Sequence, residues 1–154
     1  MKRVWILSAM LLVGCTSQMT VPEPFVRLDN PGLYDTKAIS ADGVTIAARR
    51  IDVPADSTLA FWTRAVTDEL VAQGYRQDDA EDVTAARQGS RQAAGGQEGK
   101  LLWFSRELDG RRYTYVTALF PTAAGQVLLA EAGGPADAFE EHRAAVREAL
   151  LSVR

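Results

Sequence analysis

Between Lys100 and Phe120 the chain reads KLLWFSRELDGRRYTYVTALF, two β-rich runs that meet at Asp109-Gly110. An Asp-Gly pair suits a two-residue type I′ turn. That turn sets the register: Leu108 faces Arg111, Glu107 faces Arg112, Phe104 faces Tyr115 and Trp103 faces Val116. Successive strand residues point to opposite sides. One side then carries Leu102, Phe104, Tyr113, Tyr115 and Leu119, and the other Leu101, Trp103, Val116, Ala118 and Phe120. A sheet wetted on one side alternates apolar with polar, so this pattern predicts cover on both sides. QVLLAEA, Gln126 to Ala132, repeats the pattern, with Val127 and Leu129 turned one way and Leu128 and Ala130 the other.

Two segments carry the longer helical period. In TLAFWTRAVTDELVAQG, Leu59, Trp62, Val66 and Leu70 share a face. Asp56 or Ser57 is the expected cap, and Gly74 the left-handed stop. In PADAFEEHRAAVREALLSV, Pro135 takes a first-turn position and Phe139, Val146 and Leu150 line the inner face. Ahead of both, KAISADGVTIAARRIDV reads as a hairpin around Asp42-Gly43. FVRLDNPGLYDTK leads into it through a turn at Asn30-Pro31-Gly32. Tyr75 to Gly99 looks extended only at its ends, with a polar, glycine-rich middle. The expected order is hairpin, helix, three-stranded meander, helix. That is an α+β fold, an antiparallel sheet covered by helices on both faces as an α/β/α sandwich. This order, with DGVTI…FW…L…GY at its opening and Y…LF…L…EA…F…AL at its close, resembles the PsbP-like fold over about Lys37 to Leu151. The resemblance implies a domain that acts by docking on a partner, and it brings no functional residue with it.

The amino terminus has a different character. Lys2 and Arg3 precede VWILSAMLLV, a charge-free run from Val4 to Val13. A short positive head and about ten apolar residues make a secretory signal. A membrane-crossing helix needs roughly 20, so the run is too short for a permanent span. Leu12-Val13-Gly14-Cys15 follows and resembles the lipobox of bacterial lipoproteins. The resemblance implies cleavage before Cys15, a diacylglyceryl group on its sulfur, and Leu12, Val13 and Gly14 as the signal-peptidase recognition residues. Thr16, where an aspartate tends to retain such proteins on the inner membrane, implies release to the outer membrane, facing the periplasm of a Gram-negative cell. The expected organisation is a signal peptide over 1–14, a lipidated cysteine and flexible tether over 15–24, and a single domain over 25–154.

Cleavage would remove two of 17 basic residues and none of 20 acidic ones, taking the formal charge from −3 to −5. An acidic domain is a poor match for nucleic acid. The expected partners are therefore the membrane, through the lipid on Cys15, and an envelope protein of unspecified identity. With a single cysteine there is no disulfide to form.

Catalytic patterns are weak. His142, the only histidine, sits beside Glu140 and Glu141 and reads as an exposed surface residue. No G-x-S-x-G motif accompanies it, and a zinc site wants clustered histidines and cysteines where this chain has one of each. Gly95 to Lys100 (GGQEGK) fails the phosphate-loop spacing, having Ala94 and Leu101 where glycine and Ser or Thr belong. Asp78 to Asp82 (DDAED) fails the calcium-loop spacing and reads as a solvated acidic loop. Asp68 and Glu69 are adjacent on a helix and diverge. No cofactor is expected and no enzyme activity. Two alternatives stay open: a small hydrolase using Asp78, Asp79 or Glu131, and a small-ligand pocket between a helix and the sheet involving Trp62, Trp103, Tyr113 or Tyr115.

Overall fold

The computed structural model describes residues 18–85, 96–122 and 125–154. The expected signal peptide, Leu12, Val13, Gly14 and Cys15 lie outside them. Among the described residues seven strands form one antiparallel sheet: β1 (Val26–Arg27), β2 (Thr36–Ile39), β3 (Thr45–Asp52), β4 (Arg76–Ala85), β5 (Gln97–Leu108), β6 (Arg111–Thr122) and β7 (Gln126–Pro135). Their spatial order is β1-β2-β3-β7-β6-β5-β4. Helix α1 (Leu59–Ala72) follows β3, and α2 (Ala136–Leu151) follows β7.

The central hairpin has the expected register, with Leu108 opposite Arg111, Phe104 opposite Tyr115 and Trp103 opposite Val116. Positive φ at both Asp109 (52°) and Gly110 (72°) makes the type I′ turn that matches strand twist. Alternation along the strands feeds two apolar clusters. Leu101, Trp103, Val116, Ala118, Phe120, Leu128 and Ala130 pack with Phe139, Val146, Ala149 and Leu150 of α2. Leu102, Phe104, Leu119, Val127 and Leu129 pack with Leu70 of α1, and half-buried Leu59, Trp62 and Val66 join them. The α2 cluster is the larger of the two.

Several local expectations change. The cap of α1 is Thr58, whose side chain accepts from the Phe61 N–H at 3.1 Å. Asp56 and Ser57 are drawn into the preceding turn, closed by Ser57 N–H to Pro54 C=O at 3.0 Å. Gly74 ends the helix as expected, at φ 87°. Gly74 N–H reaches Val71 C=O and Tyr75 N–H reaches Leu70 C=O, both at 3.0 Å, which is a Schellman motif. Pro135 is the last residue of β7 and the N-cap of α2, so strand passes to helix without a loop. Asp42-Gly43 is not a two-residue turn: the last pair is Ile39 with Thr45, leaving Ser40 to Val44 as the connection. Buried Ser40 organises it, its hydroxyl accepting from Val44 N–H at 3.0 Å.

The meander has four strands. The polar segment after α1 supplies β4, which pairs with β5 along its length and forms the sheet edge. Asp78 to Asp82 therefore lie in an edge strand and not in an acidic loop. An outer strand needs few apolar residues, and its charges discourage pairing with a second sheet. A register shift between Gln77 and Asp79 leaves Asp78 as a bulge.

Residues 18–24, expected as part of the tether, run along the domain. Gln18 and Arg154 exchange backbone hydrogen bonds at 3.0 Å in both directions. Met19 and Phe25 are buried in the α2 cluster, and Val21 packs against it. The prolines of TSQMTVPEP suggest a free linker, but its apolar residues find a place in the core.

Candidate functional site: a cleft beneath the first helix

Gly74 turns the chain away from α1, and β3, β6 and β7 carry an apolar floor under that helix. Between them lies a cleft of about 390 Å³. Trp62, Val66 and Leu70 form its roof, with Ile51, Leu119, Val127 and Leu129 among its floor residues. Its volume falls in the range of small-ligand sites, and mostly apolar walls with a few polar groups are the usual lining.

The polar groups here are unusual. Thr117 is fully buried, yet its Oγ1 has no hydrogen-bond partner among the described residues. The same holds for the buried Trp62 Nε1 and Arg49 Nε. All three residues line the cleft. Buried polar atoms are nearly always paired, so three unpaired ones around one cleft mark a place where pairing is left to something else.

Glu131 closes one end. Tyr115 O–H donates to its Oε2 at 2.8 Å, and Tyr34 O–H donates to Oε1. Burial raises the Tyr115 phenol far above its ordinary value, and the adjacent Glu131 adds to this. Burial and the bond to Glu131 push Tyr34 up to about 12. A phenol whose folded pKa is raised contributes stability that is complete below its unfolded value, 10.0, and is lost as pH rises through the folded one. Unfolding free energy should thus hold steady to about pH 10 and fall above it, and Tyr34→Phe should make this decline shallower, leaving the part that Tyr115 supplies. Urea unfolding midpoints across that range check the point; an unchanged decline in the variant would count against the assignment. Arg49 lies with its guanidinium carbon 5.4 Å from the centre of the Tyr34 ring.

A second, more open groove of about 770 Å³ runs between β4 and α2, with Asp78, Asp79 and Glu81 facing Arg112, Arg143 and Arg147. Trp103 stands at its base. Its Nε1–H donates to Glu81 at 3.0 Å, and Arg143 stacks over its ring at 4.5 Å. Arg147 also bonds Glu81, at 2.8 Å. Burial works to raise Glu81, but the Trp103 N–H and the Arg147 guanidinium outweigh it and hold the carboxyl below its ordinary value. Asp78 is likewise lowered: burial opposes, and the Ser105 hydroxyl and Arg76 prevail. These shifts run opposite to what a general acid needs. Asp78 and Asp79 belong to this groove and Glu131 to the α1 side, so the three hydrolase candidates are not brought together.

His142 is not the exposed residue expected. Its side chain is 14% exposed and its Nε2 lies 2.8 Å from Asp42 Oδ2. The Phe25 ring meets it edge-on at 5.5 Å. The wide β2–β3 connection carries Asp42 to α2, a contact that local sequence cannot show. Asp68 and Glu69 are both exposed, and Glu69 accepts from Gln73 at 2.7 Å. Gly99, in the rejected phosphate-loop stretch, is a strand residue: a Cβ there would lie 2.4 Å from Leu119 C=O. Among the described residues no group of three His, Cys, Asp or Glu could hold a metal. Among them also, no helix is long and apolar enough to cross a membrane.

Trp62 and Tyr115, two of the four aromatics named from sequence, meet in the α1 cleft; Trp103 belongs to the groove. Arg49 and Thr117 were missed. Their signal was a polar residue inside an apolar strand, Thr117 in YVTALF and Arg49 in TIAARRI.

This antiparallel sheet with two helices is shared with several solved structures. LpqN of Mycobacterium tuberculosis, involved in cell envelope biogenesis, matches with a TM-score of 0.63 at 17% identity, over 89% of this chain and 82% of that one. Cyanobacterial PsbP from Synechocystis matches at 0.55 and 14%, over 96% and 98%. A Pseudomonas aeruginosa protein of unknown function matches at 0.57 and 13%, over 87% and 81%. Identities this low establish a common fold, in agreement with the PsbP-like resemblance of the sequence. No family model and no curated relative matches the chain.

Proposed function

We propose that this chain is a cell-envelope lipoprotein whose domain works by binding a small molecule and not by catalysis. The observation that carries the binding role is the α1 cleft, where Thr117, Trp62 and Arg49 hold buried polar atoms that have no partner among the described residues. In this reading the two apolar clusters make a three-layer sandwich, with α2 sealing one side of the sheet and α1 roofing the ligand site on the other. Cleavage before Cys15 leaves two or three acyl chains on the new terminus, and each buried methylene contributes about 0.8 kcal/mol, so the anchor holds stably. The outer membrane of a Gram-negative cell, with the domain in the periplasm, fits Thr16 after the cysteine. LpqN, which shares this fold and is involved in cell envelope biogenesis, supports this address. A protein partner is the second reading, and the β4–α2 groove is the surface that favours it.

Cys15→Ser should shift the protein almost wholly from the membrane fraction to the soluble or precursor form. Continued sedimentation with membranes would remove the anchor from the proposal. Binding is tested separately by comparing organic extracts of the native chain with those of Val66→Trp, which fills the cleft. A compound present only in the former is expected, and identical extracts would overturn the ligand role.

A further inference from the structure

The polar atoms of the α1 cleft also specify what kind of molecule it takes. Trp62 Nε1 and Arg49 Nε are donors only, and the Thr117 hydroxyl can donate. The ligand must therefore present oxygen acceptors. A carboxylate or phosphate would satisfy them, but the charged lining argues against it. Among the described residues that line it, Arg49 is the one cation, and Glu69 and Glu131 are both carboxylates. In a partly dry cleft an anionic head would meet net repulsion. Glu131 does not satisfy these donors itself: its two oxygens accept from the Tyr34 and Tyr115 phenols, and no bond from Thr117 Oγ1, Trp62 Nε1 or Arg49 Nε reaches it. Among the other lining residues, Ile51, Val66, Leu119 and Leu129 are aliphatic and fit a flexible hydrocarbon.

We infer that the cleft takes an uncharged amphiphile, whose ester or amide carbonyl accepts from Thr117, Trp62 and Arg49 while its hydrocarbon lies against the aliphatic floor. This deepens the proposed binding role and rests on it. Thr117 has a diagnostic property. Its buried hydroxyl has no partner within the described chain, so Thr117→Val should leave the free protein equally or more stable while weakening the ligand. A hydroxyl with a purely structural role would show the reverse.

The test uses the full chain in nanodiscs with ¹⁵N-labelled tryptophan, titrated with 1-octanoylglycerol and, separately, with octanoate. The Trp62 indole N–H resonance is the readout, assigned with Trp62→Phe. Octanoylglycerol should shift it saturably and leave Trp103 in place. Octanoate should bind at least about tenfold more weakly, Thr117→Val should weaken octanoylglycerol about five- to tenfold, and Val66→Trp should abolish the shift. Equal or tighter binding of octanoate overturns the uncharged-head assignment and leaves the cleft as a binding site. An unchanged affinity in Thr117→Val removes the carbonyl contact at that residue. No Trp62 shift with either compound, or a shift that survives Val66→Trp, overturns the cleft as the site altogether.

Discussion

Replacing Phe139 by alanine should cost about 3–5 kcal/mol of unfolding free energy, a large share of the roughly 5–15 kcal/mol that holds a domain folded. Phe139 is 1% exposed and lies in the α2 cluster, its ring centre 6.1 Å from that of Trp103 in an edge-on arrangement. The size of the loss depends on whether the neighbours can move in. Trp103 cannot easily do so, because its N–H is tied to Glu81 and Arg143 is stacked on its ring. The void should therefore persist, which places the effect in the upper part of the range. Urea unfolding should show a lower midpoint at unchanged slope, the mark of lost stability and not of a looser denatured state. A loss below about 1 kcal/mol would mean that α2 does not dock through this residue.

That cluster was legible from residues alone, and the reason is local. Type I′ chemistry at Asp109-Gly110 dictates which residues face one another, and the period of two then sorts Leu101 and Trp103 from Leu102 and Phe104. The helical spacing of Phe139, Val146 and Leu150 completes it. What escaped the sequence depends on position in the sheet. β4 has almost no apolar residues because it is an outermost strand, a fact that becomes visible only with the strand order. The docking of Met19 and Phe25 depends on a contact between residues far apart in sequence, since Arg154 supplies the backbone partners of Gln18. His142 was misjudged for a similar reason: Asp42 lies 100 residues away and meets it only after the sheet has formed.

The candidate site shows the same division. Trp62 and Val66 belong to a helix face that periodicity exposes, so one wall of the cleft could be drawn in advance. Thr117 and Glu131 face one another across β6 and β7, and Arg49 is opposite Leu129 across β3 and β7. The β3–β7 pairing joins strands separated by α1 and by β4, β5 and β6. No spacing rule brings such residues together, and a polar residue in an apolar strand is the only local trace they leave.

Glu131 is where stability and the cleft meet, and Glu131→Ala should cost about 1–3 kcal/mol. The loss arises mainly at Tyr115, which is largely buried and would keep an O–H with no acceptor. Tyr34 is less enclosed, and water can replace its acceptor there at small cost. Glu131→Gln should cost less, because its carbonyl oxygen still accepts from Tyr115, without the added strength of a charged acceptor. Adding Tyr115→Phe to Glu131→Ala removes the stranded donor, so the double variant should be more stable than the sum of the two single losses predicts. A coupling of about 0.5–3 kcal/mol in that cycle is the expected result, whereas simple additivity would mean that the phenol and the carboxylate do not depend on one another. The pair also forms an end wall of the cleft floor beside Thr117. Glu131→Gln, with one carboxylate fewer beside Arg49, should therefore bind octanoate more tightly than the native chain does, a change in preference that lost stability alone cannot produce.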